Sequence, residues 1–282
     1  MTPLLRVADL RVSFPGASGP IEAVRGISFD LGREKVGLVG ESGSGKSTVA
    51  RALLRLVPKP GIVSAQRLEL DGIDLLSLSE TKMRGLRGRR ISMILQDPRF
   101  SLNPIMAVGA QIMESRLAHF QDSAAQAKTH ALAMLDSVGI RDPARVFDAY
   151  AHELSGGEGQ RVMIAMMLMA EPEVLVADEP TSALDVSLRG QVLLLLDALA
   201  ANRGRGLLII SHDLGLVTAF CDRILVMYAG QIVETLRANE IANAKHPYTQ
   251  ALWAARPSLD KPVAVLPTVS RDPAWADPRA DP

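Results

Sequence analysis

The stretch Val36-Gly37-Leu38-Val39-Gly40-Glu41-Ser42-Gly43-Ser44-Gly45-Lys46-Ser47-Thr48 constrains the chain more than any other, because an apolar strand-like run meets a glycine-rich turn closed by Lys-Ser-Thr. Gly40, Gly45, Lys46 and Ser47 satisfy the phosphate-loop pattern G-x-x-x-x-G-K-[ST]. Glycines let the backbone take positive φ and bring successive N–H groups into one concavity, which binds anions. The helix-forming composition of residues 47–56 adds a helix N-terminus to the same anion site. Lys46 supplies a point charge for the β- and γ-phosphates, and the Ser47 hydroxyl is a hard oxygen ligand suited to Mg²⁺. Residues 40 to 48 together therefore point to a nucleoside triphosphate. They do not say what its hydrolysis drives.

The 282 residues suffice for one large domain or two small ones, and 48% hydrophobic composition provides a core. Lys+Arg and Asp+Glu both number 31, so no global field attracts nucleic acid or an acidic membrane. The single Cys221 excludes an internal disulfide and a four-cysteine metal or iron–sulfur site, and reads as a small buried hydrophobe. The longest apolar runs, 162–170 and 192–196, fall short of the roughly 18 to 20 residues that span a bilayer. The start carries no secretory pattern, and a cytoplasmic location is expected.

Along the chain, short strands are expected at 5–14 and 24–31, with an edge strand at 66–72. Lys82, Arg84, Arg87, Arg89 and Arg90 read as a solvated basic helix face ahead of a strand at 91–95, since no aromatics are interleaved with them. Gln96 ends that strand. Helical spacing at 108–120 and 123–138 predicts a helical insert over about 103–151. Leu154-Ser155-Gly156-Gly157-Glu158-Gly159-Gln160 precedes an expected helix at 161–170, and its Ser155-Gly156-Gly157 turn fits either an anion site or a plain N-cap. The buried-strand run 174–177 delivers Asp178, an expected Mg²⁺ partner, and Glu179, placed to take a proton from water. Thr181-Ser182-Ala183-Leu184-Asp185 leads into a helix whose stripe Leu188, Val192, Leu195, Leu196 and Leu199 is core. A strand at 207–211 presents His212 at the same kind of edge, and a hairpin at 223–235 turns at Ala229-Gly230. From Arg256 the prolines at 257, 262, 267, 273, 278 and 282 predict an extended or disordered tail that adds no core.

The phosphate loop, Gln96, the 154–160 stretch, Asp178-Glu179, Ser182-Ala183-Leu184-Asp185 and His212, in that order, resemble an ABC-transporter ATP-binding subunit over about residues 4–255. The resemblance implies an α/β fold: a P-loop NTPase with a mostly parallel core sheet, an N-terminal antiparallel β subdomain and a helical subdomain at about 103–165 carrying the signature motif. A nucleotide-binding domain over 1–255 would precede a proline-rich tail at 256–282. ATP and Mg²⁺ are the implied ligands. Phe14 would stack on adenine, Gln96 would sense Mg²⁺ and the transmembrane partner, and Ser47 and Asp178 would hold the metal. Glu179 would activate the attacking water, His212 would contact the γ-phosphate, and Asp185 would belong to the nucleotide site. Ser155, Gly156 and Gly157 would complete the site of a facing subunit in a head-to-tail dimer. One departure is that Glu158-Gly159 stands where the family commonly has Gln after the two glycines, placing an extra carboxylate near a triphosphate.

Gln96-Asp97-Pro98 with Ser101-Leu102-Asn103-Pro104, the stretch 150–157 and His246-Pro247-Tyr248-Thr249-Gln250-Ala251-Leu252 are similar to the dipeptide, oligopeptide and nickel importer ATPases. The cysteine cluster that several of them carry after His-Pro-Tyr-Thr is missing, so no iron–sulfur site is expected. This resemblance implies an ATPase on the cytoplasmic face of the inner membrane, energising uptake of peptides or related solutes. Its partners would be two transmembrane permease subunits, a second ATP-binding subunit, identical or different, and indirectly a solute-binding protein, with no nucleic acid. The alternative is an ABC-type ATPase acting on nucleic acid or ribosomes. Against it, the chain lacks a second nucleotide domain, zinc cysteines and a long coiled coil. A non-enzymatic scaffold is disfavoured by the complete set Lys46, Asp178 and Glu179.

Overall fold

The computed structural model describes residues 3–98, 101–181, 186–256, 272 and 275. In chain order the elements begin with β1 (Leu5–Phe14), β2 (Ile21–Leu31), β3 (Lys35–Val39), α1 (Lys46–Leu53), β4 (Ile62–Ser64), β5 (Arg67–Leu70) and β6 (Ile73–Asp74). Next come α2 (Glu80–Leu86), β7 (Ile91–Ile94), α3 (Val108–Leu117), α4 (Ala124–Ser137), α5 (Pro143–Asp148), α6 (Gly156–Leu168), β8 (Val174–Asp178) and α7 (Val186–Arg203). The chain closes with β9 (Gly206–Ser211), α8 (Leu214–Phe220), β10 (Arg223–Tyr228), β11 (Gln231–Arg237) and α9 (Pro247–Ala254). It packs as two compact units, one from Met1–Ser77 with Gly206–Pro282 and one from Leu78–Arg205. The fold is α/β, as expected.

In the first unit, β2, β1, β5 and β6 form an antiparallel sheet in that order, with β4 also on β1. Val7, Leu10 and Val12 of β1 are buried, and the register shifts between Val7 and Leu10, where Asp9 takes φ 48. That irregularity carries the inward face across one extra residue. Beside this sheet, β10, β3 and β9 run parallel, and β11 closes as a hairpin on β10. The hairpin turns at Ala229 and Gly230, both at positive φ, which matches a two-residue primed turn. β9 is buried along its whole length and β3 from Val36 onward, as parallel strands covered on both faces should be.

Helix α8 lies close over β3, and a Cβ on Gly37 would collide with the buried Val217 and press on Cys221 Sγ. We expect Gly37→Ala to lower stability by about 1–3 kcal/mol through this overpacking, read as the shift of the urea midpoint. An unchanged midpoint would show that α8 moves aside freely. Burial pushes the Cys221 thiol up to about 12, so it stays protonated and behaves as the small hydrophobe expected.

In the second unit β7 and β8 pair in parallel, and helices α2 to α7 complete it. Ser123 and Gln126 form a capping box that starts α4. The basic run differs in part from expectation. Lys82 and Arg84 are exposed on α2, but Arg87 pairs with Glu80, Arg90 with Glu173, and Arg89 lies 4.9 Å from the Phe120 ring centre. Three of the five are thus spent on internal contacts. On α7, Val192 and Leu196 are buried as core, while Leu195 is half-buried and the side chains of Leu188 and Leu199 lie outside the described residues. Helix α6 begins at Gly156, five residues before the expected 161, because Ser155 caps it there. Among the described residues no helix is long and apolar enough to cross a membrane.

Candidate nucleotide site

In the first unit β3 ends at Val39, and the backbone turns back through Gly40 and Gly45 to enter α1. A Cβ at Gly40 would collide with the Met227 carbonyl, and one at Gly45, with φ 105, would collide with the Ala23 carbonyl. Only glycine fits at these two places, so the loop is pressed tightly against β10 and β2. Gly230 N–H donates to the Ser44 carbonyl at 3.0 Å, and Arg25 N–H donates to the Gly230 carbonyl at 2.8 Å. The hairpin turn therefore ties the loop to β2. Ser42 and Gly43 form the exposed rim.

Lys46 opens α1 and is 8% exposed. Its ammonium donates to the Gly40 and Glu41 carbonyls, each at 2.8 Å, and lies 3.5 Å from Ser44 Oγ. The charge is held at the mouth of the loop by the loop's own backbone. Ser47 and Thr48 follow in the first turn of α1, which contains no acidic residue, so its N-terminal dipole is uncompensated by a carboxylate there. β9 pairs in parallel with β3, Ser211 opposite Val39, so His212 and Gly40 leave neighbouring strands at one edge. His212 is exposed, and Asp213 behind it caps α8 by accepting from Leu216 N–H. Phe14 ends β1 opposite Ile21 and is half-buried, on the same strand pair whose Ala23 abuts Gly45.

In the second unit β7 and β8 also run in parallel, Ile94 opposite Ala177, so Gln96 and Asp178-Glu179 emerge at one edge. Asp178 is 5% exposed, and Gln96 is exposed in the loop that follows. Glu179 takes φ 51, a left-handed conformation that a non-glycine residue adopts at a cost of about 1 kcal/mol or more. Gln160 of α6, itself buried, donates through Nε2 to the Pro180 carbonyl at 2.7 Å. The helix that begins with the two glycines is thereby fastened to the loop after Glu179. Asp185 lies outside the described residues.

Ser155 N-caps α6: its hydroxyl accepts from Glu158 N–H at 3.3 Å. Glu158 returns the contact, its Oε2 accepting from Ser155 N–H at 3.0 Å and from Ser155 Oγ at 2.9 Å, while Oε1 pairs with Arg145. The N-cap reading of the Ser155 turn is the one observed, and the cap leaves Ser155 and Gly156 exposed. A Cβ at Gly156 would meet nothing within 4 Å, so packing inside the chain does not require glycine there. Next to it a groove of about 480 Å³ is lined by Pro98, Leu102, His152, Leu154 and Gly156 among others. Asn103, between Leu102 and Pro104 in sequence, is fixed by Gln111, whose amide accepts from Asn103 N–H and donates to the Asn103 carbonyl.

The Glu158 carboxylate is held below its ordinary range, first by the Ser155 N–H, then by the Ser155 hydroxyl and Arg145. A depressed folded value gives stability that is present above the unfolded value, about 4.3, and lost as pH falls through the folded one. We expect Glu158→Gln, which keeps the capping box but not the charge, to be less stable than the parent at pH 7. The gap should close below about pH 4 in urea titrations. A gap that widened on acidification would contradict this placement of the charge.

Three comparisons bear on this geometry. A family model described as "ABC transporter" matches residues 24–182. The chain is 46% identical over 263 residues to the oligopeptide transport ATP-binding protein OppD of Bacillus subtilis (strain 168), covering 92% of this chain and 74% of that protein.

The chain is an ATP-binding domain of the ABC transporter family.

It is also 47% identical over 258 residues to the dipeptide transport ATP-binding protein DppD of Escherichia coli (strain K12), covering 91% of this chain and 79% of that one. Among solved structures, the ATP-binding cassette MJ0796 in a dimeric post-hydrolysis state with ADP and Pi matches with TM-score 0.74 at 24% identity, over 83% of this chain and 99% of that one. cbiO1 from Clostridium perfringens, part of the ABC transporter complex cbiONQ, matches with TM-score 0.71 at 25% identity, over 86% and 92%. These two likenesses bear on the fold, which is that of an ABC cassette.

Sequence reasoning left three residues without a role. Arg145 neutralises Glu158, Gln160 links α6 to the loop after β8, and Tyr248 accepts from Glu41 N–H in the phosphate loop at 2.8 Å. The His-Pro-Tyr-Thr motif was the signal for the last, but nothing in its spacing told which backbone the phenol would meet.

Proposed function

We propose that this chain is the ATP-binding and ATP-hydrolysing subunit that energises an ABC importer of peptides or related small solutes from the cytoplasmic face of the membrane. The observation that carries the reading is the Lys46 ammonium held over the Gly40–Glu41 carbonyls at the entrance of a glycine loop that runs into a helix N-terminus. The peptide class rests on relatives named as oligopeptide and dipeptide transport ATP-binding proteins. The nucleic-acid alternative finds no support in these relatives.

The residues present suit ATP with Mg²⁺ by their chemistry: the first unit offers a backbone cradle, a buried cation and the Ser47 hydroxyl, and the second offers the Asp178 carboxylate, a hard oxygen donor. When bound, Mg²⁺ would neutralise phosphate charge. In this mechanism the loop N–H groups and Lys46 bind the phosphates, Phe14 stacks on the base, and Ser47, Gln96 and Asp178 serve the metal. Glu179 accepts the proton of the attacking water, and His212 orients the γ-phosphate. Ser155, Gly156 and Gly157 act on the nucleotide of a second cassette, which makes hydrolysis depend on pairing. The open surface at Gly156 suits such a facing partner. Two permease subunits dock on each pair, and a solute-binding protein delivers the cargo.

The test is uptake of a labelled dipeptide and of a labelled oligopeptide by cells lacking this chain. Restored uptake with the parent chain but not with Glu179→Gln is expected. Undiminished uptake of both solutes in the deletion strain would remove peptide import from its function.

A further inference from the structure

Tyr248 is fully buried at the start of α9, where His246 caps the helix by accepting from Tyr248 N–H at 3.2 Å. Its approach is fixed by Glu234, which accepts from the N–H groups of Lys245 and His246. From there its hydroxyl accepts from Glu41 N–H at 2.8 Å, on the peptide whose Gly40 carbonyl receives Lys46. One phenol thus holds from behind the backbone on which the phosphate-binding cation rests. Tyr228 backs the same loop from a second side, because it precedes the turn whose Gly230 N–H bonds the Ser44 carbonyl.

The tail joins this pair. The Tyr228 and Tyr248 rings are 4.6 Å apart, and the Trp275 ring lies 5.7 Å from each. The buried Tyr228 hydroxyl donates to the Asp272 carbonyl at 3.1 Å. Aromatic packing of this kind contributes beyond its buried area, and taking Asp272 from the buried Tyr228 hydroxyl removes a hydrogen bond from it. Asp272 is exposed and Trp275 half-buried, so at these two residues the tail makes contacts without adding to the buried core.

We propose that Tyr248 is a positioning residue for the phosphate loop and that the C-terminal segment bearing Asp272 and Trp275 docks on it, coupling tail docking to nucleotide binding. This rests on the reading of that loop as the ATP site. Coupling is reciprocal: whatever factor the docked tail adds to ATP affinity, bound ATP adds to docking.

The experiment uses the full chain with Trp253→Phe, which leaves Trp275 as the one tryptophan of the two. ATP and ADP are titrated in EDTA, with calorimetry and tryptophan emission read together. We expect a saturable Trp275 emission change whose midpoint equals the calorimetric Kd. Tyr248→Phe should weaken both nucleotides about 3- to 10-fold, the range of one neutral hydrogen bond. Trp275→Ala, on a half-buried side chain, is the second variant should Tyr248→Phe unfold; it should also weaken binding several-fold, and Trp275→Phe should restore it. Constant Trp275 emission through saturation, or affinities within twofold in both variants while Lys46→Ala loses binding, would overturn the inference and leave the ATP site standing. A parent chain that binds no ATP would overturn both.

Discussion

Lys46→Ala loses nucleotide binding, with ATP affinity falling about 100-fold or more, as removal of a charge-assisted contact to a polyphosphate predicts. Lys46 is nearly buried, opens α1, and is held by two carbonyls at 2.8 Å, so its charge is delivered to one place at little further entropic cost. The loop glycines stay wedged against the Met227 and Ala23 carbonyls in the variant, which keeps the cradle's shape. Calorimetry of ATP and ADP checks this, alongside a thermal melt in the absence of nucleotide that should differ little from the parent. Undiminished affinity in the folded variant would remove the loop from the nucleotide site.

Glu179→Gln separates binding from turnover. The amide preserves the shape of a side chain that leaves the end of β8 with φ 51, but it cannot accept a proton from water. ATP affinity should stay within about twofold while kcat falls about 10²- to 10⁴-fold, the usual range for a lost general base. If ATP is held between two cassettes, as proposed, it favours the closed pair, and the inactive variant should also accumulate as a dimer with ATP. Phosphate release at the parent rate would take the role of base from Glu179.

Much of this was legible in the sequence because the responsible signals are local. The loop around Gly40 to Ser47, the apolar strands carrying Asp178 and His212, and the Ala229-Gly230 hairpin each follow from composition within a few residues. Helix α6 begins earlier than the expected 161 because the cost of Gly156, Gly157 and Gly159 by helix propensity is overcome. The Ser155–Glu158 capping box and the Arg145 pair outweigh them, and the pair lies 13 residues away. The extra carboxylate of Glu158 is turned to Arg145 and Ser155. The Tyr248 contact spans 207 residues and the Tyr228–Asp272 contact 44, distances over which periodicity carries no information. The short helix α8 carries no periodic signal because at seven residues, Leu214–Phe220, it completes barely two helical turns.

ATP turnover by the purified chain should be followed across a wide range of protein concentrations, with Glu179→Gln as the blank. If one chain supplies the phosphate loop and another the Ser155-Gly156-Gly157 turn, activity per molecule rises with concentration and levels off once pairs dominate. Activity per molecule that is constant from the lowest concentration upward, in a chain that remains monomeric with ATP, would contradict a site shared between two cassettes.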